Sequence, residues 1–285
     1  INFMKKRIVI IGSSGIISQN LQKKLKEKKL NFLTLGRKDF DLKKNKSYVL
    51  LNKKICNNDI IIFISAEAPV KNMEMFFNNM KICDNVCKSL EGKKINKLIY
   101  ISSDAVYSDT SMKITEKSKA LPDSIHGMMH LMREINLQIS FKKKLCILRP
   151  TLIYGVGDSH QGYGPNRFIN LARKNKDIFL FGKGEERRDH IYIDDLINIL
   201  FKCIKNNKFG VFNLASGMVS SFNKIAEIAV TLTNSKSKIF NTKRVGLMPH
   251  NGYRPFNVTL IKKFFKNIEL NTIENGMKKY LRKLN

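Results

Sequence analysis

Acidic residues are scarce in this sequence. Its 285 residues include 23 Asp and Glu against 52 Lys and Arg, a formal net charge of +29. A chain so basic raises the question of nucleic acid, because a cationic face binds phosphate by releasing counterions. The expected recognition patterns are missing: there is no helix-turn-helix, zinc-finger or RNP signature. Only 11 of the 52 cations are arginine, and the lysines are scattered among many Asn and Ile, as an AT-rich coding bias would leave them. No specific nucleic-acid partner is expected, only loose attraction to acidic surfaces.

Cysteine is equally sparse. Cys56, Cys83, Cys87, Cys146 and Cys203 are odd in number, form no CxxC pair and lie mostly in apolar runs, so they read as reduced core thiols of a cytoplasmic protein. Long apolar runs are absent too. Stretches such as Ile60 to Ile64 fall far short of a membrane span, and Lys5-Lys6-Arg7 precede a strand rather than a signal-peptide core. Membrane insertion is not expected, and nothing targets the chain out of the cytoplasm. Ile1 to Phe3 precede Met4, the more natural start. There is no internal repeat and no low-complexity linker.

What is present is alternation. Short apolar runs at Arg7–Ile11, Asn31–Leu35, Asp59–Ser65, Lys97–Ser102 and Leu145–Pro150 are separated by helical periodicity, as at Ser18–Lys29 and Met75–Leu90. This predicts an α/β fold: a Rossmann-like doubly wound parallel sheet with a smaller, mainly C-terminal lobe. The expected division is 1–156 with 186–216 for the sheet domain, and 157–185 with 217–285 for the lobe. A Gly-rich loop, GVGDSHQGYGPNRF, opens the less regular part. A strand and helix are expected over His190–Lys205, a strand over Val211–Ala215, and a helical, basic C-terminal stretch beyond, broken around Gly246 to Pro255.

The sharpest local signal is the first turn, GSSGIIS, spanning Gly12, Ser14, Gly15 and Ile16. Gly12 ends a strand where a tight turn is needed, and Gly15 lets backbone N–H groups approach a pyrophosphate at a helix N-terminus. Ser18 stands where a third glycine often sits. The second strand ends at LGRKDFDL, with Arg37 and Lys38 where a carboxylate would favour a free ribose 2′-hydroxyl. That favours NADP, with NAD as the alternative.

Two of the five histidines lie four residues apart in SIHGMMHLMRE. Three readings compete: a metal clamp, two packed helix residues, or acid/base groups. Histidines at i and i+4 share a helix face, but Gly127 replaces the glutamate of HExxH and no third ligand is specified, so no metal is expected.

In order, GSSGIIS, FFNNM, YISSDAVYSD, LRPTLIYG, GEERRDHIYIDDL and VFNLASG run from about residue 6 to residue 217, with a weaker echo in YRPFNVTLIKKFF. Together they resemble the extended short-chain dehydrogenases/reductases, in the NAD(P)-dependent epimerase/dehydratase family acting on nucleotide sugars. The resemblance implies cofactor contacts at Asp41, Leu42, Ser65 and Ala66, and a catalytic hydroxyl at Ser103. Asp104 occupies a position that is acidic in some sugar dehydratases and reductases, and otherwise reads as a turn residue. It also implies diphosphate contacts at Arg188 and Arg254, with Arg167 as a third candidate beside a surface reading.

One segment departs from the family. With Ser103 in register, His126 falls on the tyrosine and His130 on the lysine of YxxxK. An imidazole, with an ordinary pKa near 6.5, needs no neighbouring cation to titrate near neutrality, whereas a phenol near 10 does. The resemblance therefore implies a nucleotide-sugar epimerase, dehydratase or reductase with His126 as acid/base and His130 on the nicotinamide ribose. The alternative is a dinucleotide- or sugar-nucleotide-binding protein without turnover. Tyr107 is a further candidate acid, and a homodimer through Met75–Leu90 and the SIHGMMHLMRE helix is implied.

Overall fold

The computed structural model describes residues 6–158, 162–265 and 267–284. The expected start at Met4 and part of the Gly-rich loop lie outside them. The chain divides into two compact units: Ile1–Ser108, Ser118–Arg149 and Leu200–Phe212 in the first, and Asp109–Lys117, Pro150–Ile199 and Asn213–Asn285 in the second.

The first unit is built on β1 (Ile8–Ile11), β2 (Phe32–Leu35), β3 (Ile60–Phe63), β4 (Lys97–Ile101) and β5 (Leu145–Pro150). With β9 (Gly210–Leu214) they form a six-stranded sheet in the order β2-β1-β3-β4-β5-β9. Pairings β1–β2, β1–β3, β3–β4 and β4–β5 are parallel. Strands β1, β3 and β4 are buried along their whole length, which is why they read as continuous apolar runs rather than alternating ones. Helices α1 (Ile16–Glu27), α2 (Ser47–Lys54), α3 (Met73–Leu90) and α4 (Ile125–Phe141) belong to this unit. Strand order reverses at β1, between β2 and β3, and the loops leaving β1 and β3 therefore border a crevice of the kind that takes ligands in such sheets.

The second unit holds β6 (Leu152–Tyr154), β7 (Ile178–Phe181), β8 (Arg187–Tyr192), β10 (Val219–Ser221), β11 (Ile239–Thr242) and β12 (Tyr253–Arg254), with α5 (Pro165–Arg173), α7 (Phe222–Leu232), α8 (Thr259–Phe264) and α9 (Ile273–Arg282). Helix α6 (Ile193–Lys205) crosses the boundary. Here β8 pairs with β6, β10 and β12, while β7 and β11 form a separate parallel pair.

The division differs from the expected one at 109–117, 150–156, 186–199 and 213–216, all of which fall in the second unit. Pairing accounts for β6 and β8: β6 pairs with β8, and β8 with the C-terminal β12, rather than with the six-stranded sheet. In the C-terminal stretch β11 interrupts the expected helix, while β12 falls inside the break expected around Gly246 to Pro255. Among the described residues no helix is long and apolar enough to cross a membrane. All five cysteines are free, and Cys56 is exposed rather than part of the core.

Candidate functional site

In the first unit, the loop after β1 and the loop after β3 approach so closely that a Cβ on Gly12, whose φ is +112°, would sit 2.8 Å from the backbone nitrogen of Ser65. Only glycine tolerates both the conformation and the contact. Helix α1 then begins at Gly15 with no side-chain cap and no acid in its first turn. Ser14 and Gly15 are exposed, and a Cβ on Gly15 would meet nothing within 4 Å. Uncapped N–H groups at an open helix N-terminus suit a phosphate, so the residues present fit the dinucleotide that the motif implies. Ser18 is buried in α1 and accepts a hydrogen bond from Gln22 Nε2 at 3.1 Å. Ile16 is the first residue of the helix.

At the end of β2, Arg37 and Lys38 are exposed, and the next residue, Asp39, accepts the Gly36 N–H at 2.8 Å. Glu67, beyond β3, pairs with Lys43 at 2.8 Å and with Arg37 at 3.5 Å. The Lys43 ammonium holds its carboxyl below the usual carboxylate range. Asp41 accepts the Lys43 N–H, whereas Leu42 is buried in the core with its carbonyl accepting from Asn85.

The loop carrying Ser65 and Ala66 is braced from below. Arg133 of α4, 0% exposed, donates to Ser65 O at 2.9 Å and to Asn79 O at 2.8 Å, while Asn79 bonds both N–H and carbonyl of Glu67. Nothing in helical periodicity marks Arg133 as the centre of this brace; FFNNM pointed only to Asn79.

Strand β4 leads into the Ser102–Ser103 pair. Ser102 donates to buried Glu134 at 2.5 Å, and Glu134 forms an ion pair with buried Arg149. Beside it, partly exposed Ser103 accepts the Ala105 N–H at 3.2 Å and caps a short 3-10 turn, Asp104–Val106, in which Asp104 is buried. Tyr107 does not sit as an available acid: it is 1% exposed, with the Arg149 guanidinium 4.7 Å above its ring.

Helix α4 starts at Ser124, whose hydroxyl accepts the Gly127 N–H. Gly127 packs directly on the 3-10 turn, since a Cβ there would lie 2.1 Å from Ala105 O. That contact ties the first turn of α4, and with it His126, to the segment that Ser103 caps. His126 is partly buried, and its Nδ1 accepts the Val70 N–H at 3.3 Å. His130 is buried, its Nδ1 lies 2.8 Å from Tyr100 Oη, and the two imidazoles meet edge to face with centroids 4.8 Å apart.

Burial pushes the His126 pKa below its ordinary value; Asp104 opposes the shift and Arg133 adds to it. Burial pushes His130 further down, with His126 and Arg133 adding to the effect. Arg133, on the same helix, is thus a fixed cation that disfavours the protonated ring of His126. Among the described residues no group of three or more His, Cys, Asp and Glu could hold a metal ion.

In the second unit, Arg188 on β8 and Arg254 on β12 are register partners on adjacent parallel strands. Arg254, 1% exposed, bonds Asp109 at 2.9 Å and lies 3.0 Å from His250 Nδ1. His250 itself reaches Asp109 at 2.5 Å, and its pKa is lowered by burial and then by Arg188 and Arg254. Arg188 pairs with Glu186 at 3.1 Å, and Arg244 lies 3.9 Å from the same carboxylate. Arg244 also lies 3.7 Å from Glu185, so the three guanidiniums are matched by three carboxylates, and an anionic group bound there would compete with them for the forks. Arg244, His250 and Asp109 went unrecognised in the sequence because they lie in loops without periodicity. Arg167 is exposed on α5, apart from these contacts.

Comparison with known proteins adds kinship. The family model for the NAD dependent epimerase/dehydratase family matches residues 8–215. The chain is 21% identical over 271 residues to dTDP-D-glucose 4,6-dehydratase of Homo sapiens, covering 83% of this chain and 77% of that one. It is 30% identical over 165 residues to dTDP-4-dehydro-6-deoxyglucose reductase of Escherichia coli, covering 54% and 52%. Among solved structures it resembles UDP-glucose 4-epimerase of Thermotoga maritima, with TM-score 0.83, 17% identity, and coverage of 98% and 99%. It also resembles ADP-L-glycero-D-manno-heptose-6-epimerase of Helicobacter pylori, with TM-score 0.83, 22% identity, and coverage of 99% and 97%.

Proposed function

Because the chain belongs to the NAD dependent epimerase/dehydratase family, we propose that it is an enzyme acting on a nucleotide-activated sugar with a nicotinamide dinucleotide. The observation that carries this reading is local to the first unit: an open, uncapped helix N-terminus beside the β1 turn, and a Ser103 hydroxyl on a turn packed against the helix that bears His126. When bound, the dinucleotide supplies the hydride exchange. Gly12, Ser14, Gly15 and Ile16 would hold its pyrophosphate, with Ser65, Ala66, Asp41 and Leu42 lining it. Arg37 and Lys38, exposed at the strand end, favour NADP over NAD, although Arg37 also reaches Glu67, which Lys43 holds more closely.

Ser103 and His126 attend the reacting oxygen of the sugar, and His130, whose Nδ1 faces Tyr100, keeps Nε2 for a ribose hydroxyl. Arg188 and Arg254 take the diphosphate, and Asp104 tunes His126 through its charge. Relatives named as a dehydratase and a reductase of dTDP-sugars support this substrate class.

The protein acts as a homodimer in this reading. Helix α4 exposes Met128, Met132, Ile135 and Ile139, spaced 4-3-4, and its only charged residues, Arg133 and Glu134, are buried. Such spacing is a coiled-coil seam, and a seam free of charge on so basic a chain suits a second copy of itself. Light scattering checks it: a dimer for the native chain, a monomer for Ile135→Glu.

The function itself is tested by native mass spectrometry of the purified protein, followed by titration with NADPH, NADH and nucleotide sugars. Copurifying dinucleotide and turnover of a nucleotide sugar support it. Tight dinucleotide binding with no turnover of any nucleotide sugar leaves the binding-protein reading instead, and absence of both kinds of binding removes it altogether.

A further inference from the structure

A second cleft opens in the first unit between the C-terminal ends of α3 and α4. Ser140, which lines it, is about 21 Å along α4 from His126 at the helical rise per residue, so the cleft is not part of the site described above. Its volume is about 560 Å³, within the range of small-molecule sites. Cys87, Leu90 and Ile95 of the core cluster line it, with Phe141, which packs against that cluster. Lys93, Lys142 and Lys143 line it too, and among the described residues none of the three has an ion pair or a side-chain hydrogen bond. One carboxylate, Glu91, stands against them. Lysine is common all over this chain, so the charge by itself says little; what is unusual is its setting, around an apolar cleft that reaches the core.

The polar groups of the lining are already engaged. Leu90 O accepts the Lys93 N–H at 3.1 Å, Ile95 O accepts from Lys144 Nζ at 2.8 Å, and the Cys87 sulfur accepts from Asn136 Nδ2 at 3.6 Å. A peptide inserted there would bury backbone N–H and C=O groups without partners, a cost that a hydrocarbon chain does not carry. A bilayer fits no better. Leu90 and Ile95 are each 2% exposed, and a flat surface does not reach between two helix ends to side chains so deep. A single chain does, and three unpaired ammonium groups complement a negative head left at the opening. We propose that this cleft binds a free single-chain amphiphile with an anionic head, such as a fatty carboxylate. The proposal is independent of the nucleotide-sugar reading, since no residue is shared between the two sites. Ile139, at the end of the α4 seam, also borders the cleft, so the variants that test it leave Ile139 untouched.

Calorimetry on the intact protein tests it with sodium decanoate below its micellar concentration, with 1-decanol as the chain without the charge and sodium butyrate as the charge without the chain. Decanoate should bind once per protein chain, decanol about tenfold more weakly or worse, and butyrate not at all. Lys142→Glu/Lys143→Glu, at two exposed positions, should weaken decanoate about tenfold or more, and Ser140→Trp, which fills the opening, should abolish its binding. Lys174→Glu/Lys176→Glu, an equal charge change at exposed positions of the second unit, should leave it intact, which separates the cleft from the general attraction of so basic a chain. In a Cys56→Ser background, decanoate should also slow alkylation of Cys87 by N-ethylmaleimide, mapped by mass spectrometry, with the same midpoint as the calorimetry. The proposal is overturned if the native chain does not bind decanoate, if both charge-swapped pairs weaken it equally, or if Ser140→Trp binds it as well as the native chain does. Binding confined to vesicles of phosphatidylglycerol, with none to free decanoate, overturns it in favour of a membrane surface.

Discussion

Replacing Gly127 by alanine sets two effects against each other within one helix. Intrinsic propensity favours alanine inside a helix by up to about 1 kcal/mol. The structure opposes it: the new Cβ would lie 2.1 Å from Ala105 O, 2.7 Å from the Pro122 Cβ and 2.9 Å from the Ala105 carbonyl carbon. Ordinary contact begins near 3.4 Å, so the first turn of α4 and the 3-10 turn must part by about 1.3 Å. Two of the three obstructing atoms are backbone, which no rotamer change relieves. Overpacking of this kind costs about 1–3 kcal/mol, so with the propensity gain offset the net effect is a loss of up to about 2 kcal/mol. Function should suffer more than stability, because moving His126 about 1 Å relative to Ser103 costs on the order of a hundredfold in rate. Urea unfolding and kcat/KM of Gly127→Ala measure the two, with Ser140→Ala on the exposed side of the same helix as the propensity control. A variant as stable as the control and equally active would refute the argument that this contact positions the site.

Other consequences are equally direct. Arg149→Met leaves Glu134 buried with only Ser102 beside it and should cost about 3–5 kcal/mol in chemical denaturation, whereas the double change Glu134→Leu/Arg149→Met should recover most of that loss. His190 is fully buried; burial, then Arg188, pushes its pKa from 6.5 down to about 3. The unfolded chain therefore binds the proton first, and stability falls by about 1.4 kcal/mol per pH unit as pH drops from 6.5 toward 3. A His190→Phe variant should show a stability-pH curve flatter by that slope, and an unchanged slope would contradict the burial argument. Arg37→Asp should weaken NADPH binding about tenfold or more and leave NADH nearly unaffected, as read by fluorescence titration of each dinucleotide.

Much of the first unit was legible because its signals are periodic. Fully buried strands read as unbroken apolar runs, and β1, β3 and β4 lie within a residue or two of where those runs placed them. The β1 turn was legible because glycine has few other reasons to stand after a buried strand. The histidine pair was found by register with Ser103, and its edge-to-face contact follows from helical spacing. What surrounds the pair was not legible. Whether Arg133 and Glu134 point outward or inward depends on which face of α4 is covered, and adjacent charged residues in a Lys-rich chain give no hint that both are buried. The 3-10 turn contact at Gly127 and the Val70 N–H on His126 join segments 22 and 56 residues apart, as numbered, so no local pattern announces them. In the second unit some strands are short and polar, such as β10, and β12, only two residues long, becomes a strand because β8 is there to pair with it.

The few carboxylates of this chain are largely spoken for. Asp59 holds Arg7, Glu67 holds Lys43, Glu134 holds Arg149, Asp109 holds Arg254, and Asp189 accepts the N–H groups of Ser216 and Gly217. The lysines around them are mostly solvated. Mutational drift toward lysine can therefore sweep the exterior almost unopposed, but it meets a floor at these acids, each of which closes a bond between distant parts of its own unit. A saturation screen of the gene would see this as two populations: a broad exterior where one codon passes for another, and a small set of acidic positions where even asparagine fails.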